Sequence, residues 1–347
     1  MNQHSPLAGP GGTEPYNVWL PDRLGGDYRQ RFFDVGPDPL GEGELRAALI
    51  HYAPASEPGA RSPQDRVAIL HIHGVTDYFF QTHVAEHFHD TGLDFYALDL
   101  HKCGRAHLPG QTWHFDTDLR HYFPELVDAT RLILESNTAV VLLAHSTGGL
   151  IVASWLDHLR RAEDPLLGRI RGAIFNSPWL DMIVPAPVAR AAAPALKVIG
   201  RRWPMLALPR KEMTAYGEAL HVSRHGVWDY DLGFKPLGGH AKYVGWLRTV
   251  IKTQEPLHAG HFNCGVPVLT LCSDRSTAGK PYSEASHVSD SVLNVHQIRR
   301  WAPYLSDSSA LEVLHGAVHD VFLSSTEVTD RAFKACDGWL AQHAFAE

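Results

Sequence analysis

Short apolar runs alternate with amphipathic stretches along most of the chain. The runs are rich in β-branched and aromatic residues, which is typical of strands, and they cover residues 45–51, 67–72, 95–100, 139–144, 170–175, 268–271 and 311–314. Between them, apolar positions recur with a helical period in residues 81–89, 119–135, 148–161, 292–304 and 326–345. Continuous apolar runs fit strands that are buried on both faces. The pattern therefore predicts an α/β fold with a mostly parallel central sheet flanked by helices.

The alternation stops between residues 177 and 262. This segment is rich in Pro, Gly and Trp and has no clear strand pattern, whereas residues 268–271 give a strong strand signal again. We expect the segment to be an insertion between two late strands. Residues 15–176 and 263–347 would then form one domain. Residues 1–14 are polar and rich in Gly and Pro, and we expect them to be a flexible N-terminus.

Composition excludes several classes of protein. The 347 residues carry 31 Lys and Arg against 38 Asp and Glu, a net charge of −7 with neutral histidines, so no basic footprint for nucleic acid is expected. Four cysteines without metal-type pair spacing suit a reducing compartment. The first residues lack the order of a signal peptide, and no apolar run reaches the roughly 20 residues of a membrane span. We therefore expect a cytoplasmic protein.

Histidine is unusually frequent, with 23 residues, and two of them have a metal-type spacing. His83 and His87 stand in a His-x-x-Glu-His pattern that some zinc peptidases use, since residues four apart share a helical face. Such a pattern arises by chance in a His-rich chain, and no third ligand with a supporting context follows it. We expect no metal and no cofactor.

The most informative segment is a strand-turn-helix pattern around Ser146. A buried strand runs into the serine and a helix leaves directly after it. The positions two before and two after are small, Ala144 and Gly148, as a sharp turn requires because larger side chains would clash. This is the context of a nucleophile elbow. We predict that Ser146 is a nucleophile, the alternative being a serine that only caps a helix.

A serine hydroxyl needs a base, and the base needs a third group to hold its tautomer. Two histidines follow the last predicted strand, and we favour His319 because its loop position lets it reach back to the serine, whereas His315 fits a core histidine. For the acid, Asp274 follows strand 268–271 closely, while Asp290 lies at the entrance of a helical pattern. We favour Asp290 and keep Asp274 as the alternative; each also fits an ordinary helix cap.

The negative charge that develops on an attacked carbonyl oxygen needs two preorganised donors. The first is assigned to the N–H of Thr147, the residue after the nucleophile. The second is assigned to the N–H of Val75, in the loop after strand 67–72. The preceding pair, His73 and Gly74, lets the backbone approach closely there, and His73 is a candidate for bracing this loop through hydrogen bonds.

At these residues the chain resembles the α/β-hydrolase superfamily, and within it the group of monoacylglycerol lipases, lysophospholipases and serine aminopeptidases. The matching motifs are residues 73–74, 99–105, 144–149, 176–181, 290–295 and 316–319. In such families the acid precedes a hydrophobic pair and a helix, as Asp290 does, which strengthens that choice. The resemblance also implies that residues 177–262 form a cap over the active site. Departures are Ala144 in place of glycine, Lys102 and Cys103 in a stretch usually richer in Gly and His, and the long excursion 275–289.

The favoured function is a serine hydrolase that cleaves a carboxylic ester: an acylglycerol, a lysophospholipid or another small ester. One alternative is an amide or peptide hydrolase of the aminopeptidase type, which would need acidic groups in the cap to hold the substrate amine. The candidates for these groups are Glu212, Glu218, Asp229 and Asp231. The other alternative is a non-catalytic binding module, since fold alone does not establish chemistry.

Four further residues are candidates for the substrate pocket: Tyr78, His145, Trp179 and Trp228. The expected partner is a small-molecule ester, with no nucleic acid and no stable insertion into a membrane. Residues 185–209 mix apolar and basic positions and are a candidate for transient lipid contact, although packing onto the catalytic domain explains them better because interfacial helices are rarely so rich in proline.

Overall fold

A nine-stranded sheet forms the centre of the part of the chain that the computed structural model describes, residues 14–54, 66–184, 186–208 and 214–344. The strands are β1 (Trp19–Pro21), β2 (Tyr28–Pro37), β3 (Glu44–Tyr52), β4 (Val67–Ile72), β5 (Asp94–Asp99), β6 (Ala139–His145), β7 (Ile170–Asn176), β8 (Val268–Ser273) and β9 (Ser309–Leu314). The helices are α1 (Thr82–Asp90), α2 (Phe123–Ile133), α3 (Thr147–Arg161), α4 (Ala186–Arg202), α5 (Ala215–Leu220), α6 (Val244–His258), α7 (Val295–Trp301) and α8 (Thr326–His343).

The strand order across the sheet is β1-β2-β3-β5-β4-β6-β7-β8-β9. Pairing is antiparallel from β1 to β5 across β2 and β3, and parallel from β5 to β9. The predicted mostly parallel sheet is therefore confirmed. All residues of β4 and β6 are buried, as strands covered on both faces must be.

The predicted sheet lacked its first two strands. β2 mixes buried, half-buried and exposed positions without strict alternation, and it carries Arg29, Gln30, Arg31 and Asp34. Its sequence is therefore not the continuous apolar run of a strand buried on both faces, so a search for apolar runs passes over it. The seven strands that were predicted all form.

Helices cover both faces of the sheet and create two apolar layers. Side chains of α2, α3 and α6 pack with Leu70, Leu98 and Leu142 on one face. Side chains of α1 and α8 pack with Ile69 and Val141 on the other. Neighbouring residues of one strand thus point into different layers, as strand geometry requires.

Residues 177–262 connect β7 to β8 and contain α4, α5 and α6. Of these helices, α6 contributes Trp246, Val250 and Leu257 to the same apolar layer as the sheet. Its Gln254 Nε2 also donates to the carbonyl of Trp179, directly after β7, at 3.0 Å. Among the described residues, no helix combines the length and the apolarity needed to cross a bilayer.

A buried ion-pair network ties the antiparallel strands to the parallel part of the sheet. Arg105 binds Asp22, which follows β1, at 2.6 Å and Asp99, the last residue of β5, at 2.8 Å. Lys102 binds Asp38, which follows β2, at 2.8 Å. Asp99 also accepts the N–H of Phe79 at 2.8 Å. Through the Asp99–Phe79 hydrogen bond, this ion-pair network also positions the chain after β4. That part of the chain belongs to the candidate site.

Candidate active site

Ser146 lies in a strained turn between β6 and α3. Its φ of 54° and ψ of −118° fall outside the regions that L-residues normally occupy. Its N–H donates to the carbonyl of Asn176 at 2.9 Å, and its own carbonyl accepts the N–H of Trp179 at 3.0 Å. The neighbouring strand β7 and the chain after it therefore hold the turn in place.

Close packing around this turn explains its small residues. A Cβ on Gly148 would lie 2.3 Å from the carbonyl oxygen of His73, and one on Gly149 would lie 2.8 Å from Cβ of Pro178. A Cβ on Gly74 would lie 2.9 Å from Cβ of Ser146. Real Cβ atoms do not approach other atoms so closely, so α3 begins against the end of β4 only because these positions are glycine.

Three side chains meet at the turn in the order Ser146, His319, Asp290. Nε2 of His319 lies 2.9 Å from Oγ of Ser146, and Nδ1 lies 2.9 Å from Oδ2 of Asp290. All three residues are buried. An ionised carboxylate only accepts hydrogen bonds, so Nδ1 carries the proton and Nε2 is free to accept the serine proton.

Asp290 is itself fixed by the backbone. Its Oδ1 accepts the N–H groups of Val292 at 2.8 Å and Leu293 at 2.7 Å. Two further backbone hydrogen bonds join the two ends of segment 275–289. The N–H of Thr277 donates to the Asp290 carbonyl, and the N–H of Asp290 donates to the Arg275 carbonyl. These hydrogen bonds hold the Asp290 carboxylate in the orientation in which its Oδ2 faces His319.

Asp274 lies in a different environment. Its Oδ1 accepts the N–H of Gly316 at 2.9 Å, and its Oδ2 pairs with Arg275 at 3.0 Å. Burial works to raise the pKa of Asp274, but the hydrogen bond from Gly316 and the Arg275 guanidinium outweigh it and hold that pKa below its usual range. His315 is exposed and lies 3.8 Å from this carboxylate. The structure brings Asp290, and not Asp274, to His319.

The loop that carries His319 is anchored at the next residue. Oδ1 of Asp320 accepts from Asn176 Nδ2 at 2.6 Å, and its Oδ2 accepts from Gln81 Nε2 at 3.0 Å. Burial works to raise the pKa of Asp320, but nearby His145 and Lys235 and the Asn176 hydrogen bond outweigh it, and the pKa lies below its usual range. Asp320 therefore stays ionised and ties the loop to β7 and to the chain before α1.

The loop after β4 runs beside Ser146 and is braced by His73. Nε2 of His73 accepts the N–H of Leu100 at 3.0 Å, so the proton of this ring is on Nδ1, which lies 2.7 Å from the Gly74 carbonyl. Val75 follows and lines the cavity beside Ser146. Thr147 is the first residue of α3, and its N–H has no acceptor within the helix. Both predicted oxyanion donors thus belong to backbone next to the serine.

A cavity of about 130 Å³ opens beside Ser146 and His319. Its apolar walls come from the loop after β4 (Val75), from residues 177–262 (Tyr216, Tyr230, Pro236 and Leu237) and from the chain after Asp290 (Val292). Its charged lining residues are Asp77, Lys235 and Lys242. The cavity thus combines apolar walls with a few polar groups, as small-molecule sites generally do.

Asp77 forms a buried ion pair in this cavity. Lys235 Nζ lies 2.7 Å from Asp77 Oδ1, and Nδ1 of His145 lies 3.4 Å from Oδ2. Burial works to raise the pKa of Asp77, but the Lys235 ammonium outweighs it and holds the pKa far below its usual range. The ring of His145 in turn packs against His319, with centroids 4.9 Å apart.

Of the four predicted pocket residues, only His145 lines this cavity. Tyr78 is buried among aromatic rings, and its hydroxyl accepts the N–H of Asp231 at 2.8 Å. Trp179 packs on Trp246, and the indole N–H of Trp228 donates to the Leu323 carbonyl at 2.9 Å. Tyr78 and Trp228 pack in one cluster with the wall residues Tyr216 and Tyr230, whereas Trp179 packs in the apolar layer of the sheet.

The His-x-x-Glu-His pair has protein partners. His83 Nε2 lies 2.8 Å from the Phe322 carbonyl, and its ring stacks on Trp228. His87 stacks on Phe333 with centroids 3.8 Å apart and lies 3.0 Å from Asp337. In the described parts of the chain, no group of three or more His, Cys, Asp and Glu side chains is arranged to hold a metal ion.

Sequence reasoning missed several polar residues of the site. Asp77 and Thr76 follow the predicted oxyanion donor directly, so their proximity to the serine was a usable signal. Lys235 and Lys242 lie in a segment without helical or strand periodicity, and no sequence signal points to them. Glu212, one of the acidic residues considered for amine binding, lies outside the described residues.

Comparison with known proteins supplies a family. The model of the family described as serine aminopeptidase, S33, matches residues 63–323. No match was found among curated protein sequences.

Similar solved structures come from several organisms. A soluble variant of monoglyceride lipase from Saccharomyces cerevisiae, in complex with a substrate analog, is 15% identical with a TM-score of 0.61, over 90% of this chain and 96% of that chain. The monoacylglycerol lipase of Paleococcus ferrophilus is 20% identical with a TM-score of 0.58, over 81% and 96%. A thermophilic esterase from Thermogutta terrifontis is 14% identical with a TM-score of 0.54, over 90% and 98%. These similarities confirm the predicted α/β-hydrolase fold.

Proposed function

The chain belongs to the serine aminopeptidase S33 family of hydrolases, and from this premise we propose that it cleaves a carboxylic ester through an acyl-enzyme on Ser146. The observation that carries the proposal is the buried series in which His319 Nε2 lies 2.9 Å from Ser146 Oγ and His319 Nδ1 lies 2.9 Å from Asp290. Nucleophile and base within this reach, with a third group that orients the base, are the requirements of serine catalysis.

The first step forms a bond between Ser146 Oγ and the ester carbonyl carbon. His319 Nε2 takes the serine proton, and Asp290 stabilises the resulting imidazolium. The negative charge on the carbonyl oxygen is assigned to the N–H groups of Val75 and Thr147, and the positive end of the α3 dipole adds to this field. The C–O bond to the alcohol then breaks, and His319 returns the proton to the departing oxygen.

In the second step water replaces the alcohol. His319 removes a proton from the water as it attacks the acyl carbon, and the bond to Ser146 Oγ breaks with return of the proton to the serine. The acid product leaves and the enzyme is restored. Ser146, His319 and Asp290 act in both steps, so the same arrangement of these three side chains serves formation and hydrolysis of the acyl-enzyme.

The size of the cavity favours a small ester. A dry cavity of 150 Å³ in another protein holds a molecule such as benzene, and the cavity beside Ser146 is about 130 Å³. A short acyl or aromatic group fits this space. Of the predicted substrate classes, we therefore place small esters before acylglycerols and lysophospholipids with long acyl chains.

The charges of the cavity favour an ester over a peptide with a free amine. An aminopeptidase needs an available carboxylate to hold the substrate ammonium. Asp77 is the carboxylate among the described residues that line the cavity, and Lys235 already neutralises it at 2.7 Å. Asp231 pairs with Arg23, and the side chain of Asp229 is 89% exposed.

Amide hydrolysis remains the second candidate because the matched family is described as a serine aminopeptidase family.

We also propose that residues 177–262 form a cap over the active site, since they supply Tyr216, Tyr230 and Lys235 to the cavity. The proposal also includes a cytoplasmic location and a small-molecule partner. The four cysteines are free and buried, in keeping with a reducing compartment.

A labelling and turnover experiment tests the proposal. A fluorophosphonate probe is expected to label the wild type and not Ser146→Ala. Ser291→Ala is the matched control, because Ser291 lines the same cavity, and it should still be labelled. Labelling that survives Ser146→Ala rejects the nucleophile.

Turnover of p-nitrophenyl esters of increasing chain length, beside an aminoacyl p-nitroanilide, then separates the candidate functions. Preferred turnover of short esters supports the proposal, and preferred turnover of the anilide supports the amide hydrolase. No turnover of any of these substrates favours a binding module.

A further inference from the structure

Lys242 places a positive charge in the cavity, and no carboxylate among the described residues forms an ion pair with it. Its side chain is largely buried, and among the described residues the contact to its Nζ is a long one of 3.4 Å to the His240 carbonyl. Burial lowers the pKa of Lys242. By contrast, Lys235, the other lysine of the cavity, is fully engaged with Asp77. An ammonium that is largely buried and has no anion nearby is costly, and perturbed charged groups of this kind cluster at functional sites.

In the part of the chain that the structure describes, the titratable neighbours of Lys242 are two histidines, which do not balance its charge. His240 donates to the Phe234 carbonyl at 3.1 Å and stacks on Trp113. Burial, with a smaller contribution from Lys242, lowers the pKa of His240 to about 4. His114 is buried, and burial together with Lys242 lowers its pKa well below the usual range. Both rings are therefore neutral near pH 7.

The Thr76 hydroxyl is a second polar group that lies beside the Lys242 ammonium in the cavity. A Cβ built on Gly239 would lie 3.1 Å from Lys242 Nζ and 3.4 Å from Thr76 Oγ1, so the ammonium and the hydroxyl flank one place. The Thr76 hydroxyl is buried and has no hydrogen-bond partner among the described residues. Thr76 also holds a φ of 57°, which is a strained conformation for a β-branched residue.

We propose that the ester cleaved at Ser146 carries a carboxylate, which Lys242 Nζ and Thr76 Oγ1 bind inside this cavity. An ammonium and a hydroxyl can both donate to carboxylate oxygens. They line the same cavity as Ser146 and His319, so an anionic group on the substrate would be recognised at a fixed place relative to the reacting carbonyl. This inference rests on the proposed function and names its substrate class.

Two matched substrates test the inference: p-nitrophenyl hemiadipate, which ends in a carboxylate, and p-nitrophenyl hexanoate, which ends in a methyl group. The measured quantity is the ratio of their kcat/KM values. A charge-assisted hydrogen bond corresponds to about tenfold or more in affinity, so we expect the wild type to prefer the hemiadipate by about tenfold or more. We expect Lys242→Met to lower this ratio by about tenfold and Lys242→Arg to restore most of it.

Two further variants complete the design. Lys252→Met is the matched control, because Lys252 is an exposed lysine of α6, and it should keep the wild-type ratio. Thr76→Val keeps the β-branched shape and removes only the hydroxyl, so it tests the site without a change of charge and should also lower the ratio. Thermal melting by circular dichroism verifies that each variant folds.

The outcomes separate this inference from the proposed function. Turnover of the hexanoate with a ratio near one, or a ratio that neither Lys242→Met nor Thr76→Val changes, overturns the carboxylate site and leaves the esterase proposal standing. Absence of turnover for both esters, together with absence of labelling at Ser146, overturns both proposals. A ratio that falls with both variants and returns with Lys242→Arg supports the inference.

Discussion

Asp290 and His319 are joined by a 2.9 Å contact on the side of the imidazole ring that faces away from Ser146. The carboxylate fixes the proton on Nδ1, and this leaves Nε2 unprotonated toward the serine. Because two backbone N–H groups hold the other carboxylate oxygen, the acid has little freedom to turn away.

Replacement of this acid should therefore abolish most of the activity. In Asp290→Asn the side-chain amide can present its NH₂ to Nδ1, which favours the tautomer with the proton on Nε2 and blocks acceptance of the serine proton. We expect kcat for a p-nitrophenyl ester to fall by about three to four orders of magnitude. Asp274→Asn is the matched control, because Asp274 binds Gly316 and Arg275, and it should lose far less. A larger loss in Asp274→Asn would show that Asp290 is not the acid.

The close start of α3 against β4 predicts a strong effect of one methyl group. Gly148→Ala would bring a Cβ to 2.3 Å from the His73 carbonyl. The helix must shift in response, and we expect a loss of about 1–3 kcal/mol or more in the free energy of unfolding together with a loss of ester turnover. Urea unfolding measures the first effect.

Gly338→Ala is the control for Gly148→Ala. Gly338 is an exposed position of α8, and a Cβ there meets no atom within 4 Å. Because alanine favours helix over glycine, this variant should gain about 0.5–1 kcal/mol. Equal stability changes in the two variants would contradict the packing described at the elbow.

The buried ion pair between Asp77 and Lys235 predicts a coupled response. Lys235→Met leaves the Asp77 carboxylate buried without its partner, and breaking a buried pair costs about 3–5 kcal/mol. The double variant Asp77→Asn with Lys235→Met removes both charges, and we expect it to recover a large part of that loss. Urea unfolding of the two single variants and the double variant measures the coupling. Additive losses would mean that the two residues do not interact.

His101 predicts a dependence of stability on pH. Its ring nitrogens lie 2.9 Å from Glu125 and 3.2 Å from Asp116. Burial works to lower the pKa of His101, but the carboxylates outweigh it and raise the pKa to about 9. The folded state therefore binds this proton more tightly than the unfolded state does. The stabilisation is fully present below about pH 6.5, the pKa of an unperturbed histidine. It is lost as the pH rises through about 9.

Urea midpoints measured between pH 6 and pH 9 check this expectation. The difference in stability between wild type and His101→Gln should shrink as the pH rises over that interval, because the imidazolium that the variant lacks loses its proton. His158→Gln, at an exposed histidine of α3, is the control and should show a nearly constant difference. A difference for His101→Gln that grows with pH would contradict the assignment.

Local patterns were sufficient to predict the elements on either side of the candidate nucleophile. β4 was predicted with its observed bounds, and β6 differs from its prediction only at the last residue. The residues of β6 before His145 are all apolar, and β4 is apolar except for His71. The elbow at Ser146 depends on neighbouring small residues, which are visible in the sequence. In the same way, His319 was favoured over His315 because it lies in the loop beyond the last predicted strand rather than at the strand end.

The walls of the cavity depended on tertiary structure and were not predictable in the same way. Residues 177–262 have no simple period, so nothing in the sequence shows that Lys235 lies against Asp77 while Trp228 turns away to bond Leu323. Aromatic residue type favoured the tryptophans as pocket residues. Instead, the indole N–H of Trp228 donates to the Leu323 carbonyl, and the ring of Trp179 packs on Trp246.

The packing of α6 sets a limit on how this protein can be recombined with its relatives. Since α6 fills the same apolar layer as the sheet and holds the chain after β7 through Gln254, it serves as the crossover between the parallel strands β7 and β8. A chimaera that exchanges all of residues 177–262 would remove part of the scaffold along with the cavity walls. Exchange of the chain between Trp179 and Val244 alone would spare the crossover, and that shorter segment is the natural unit for transplanting substrate specificity.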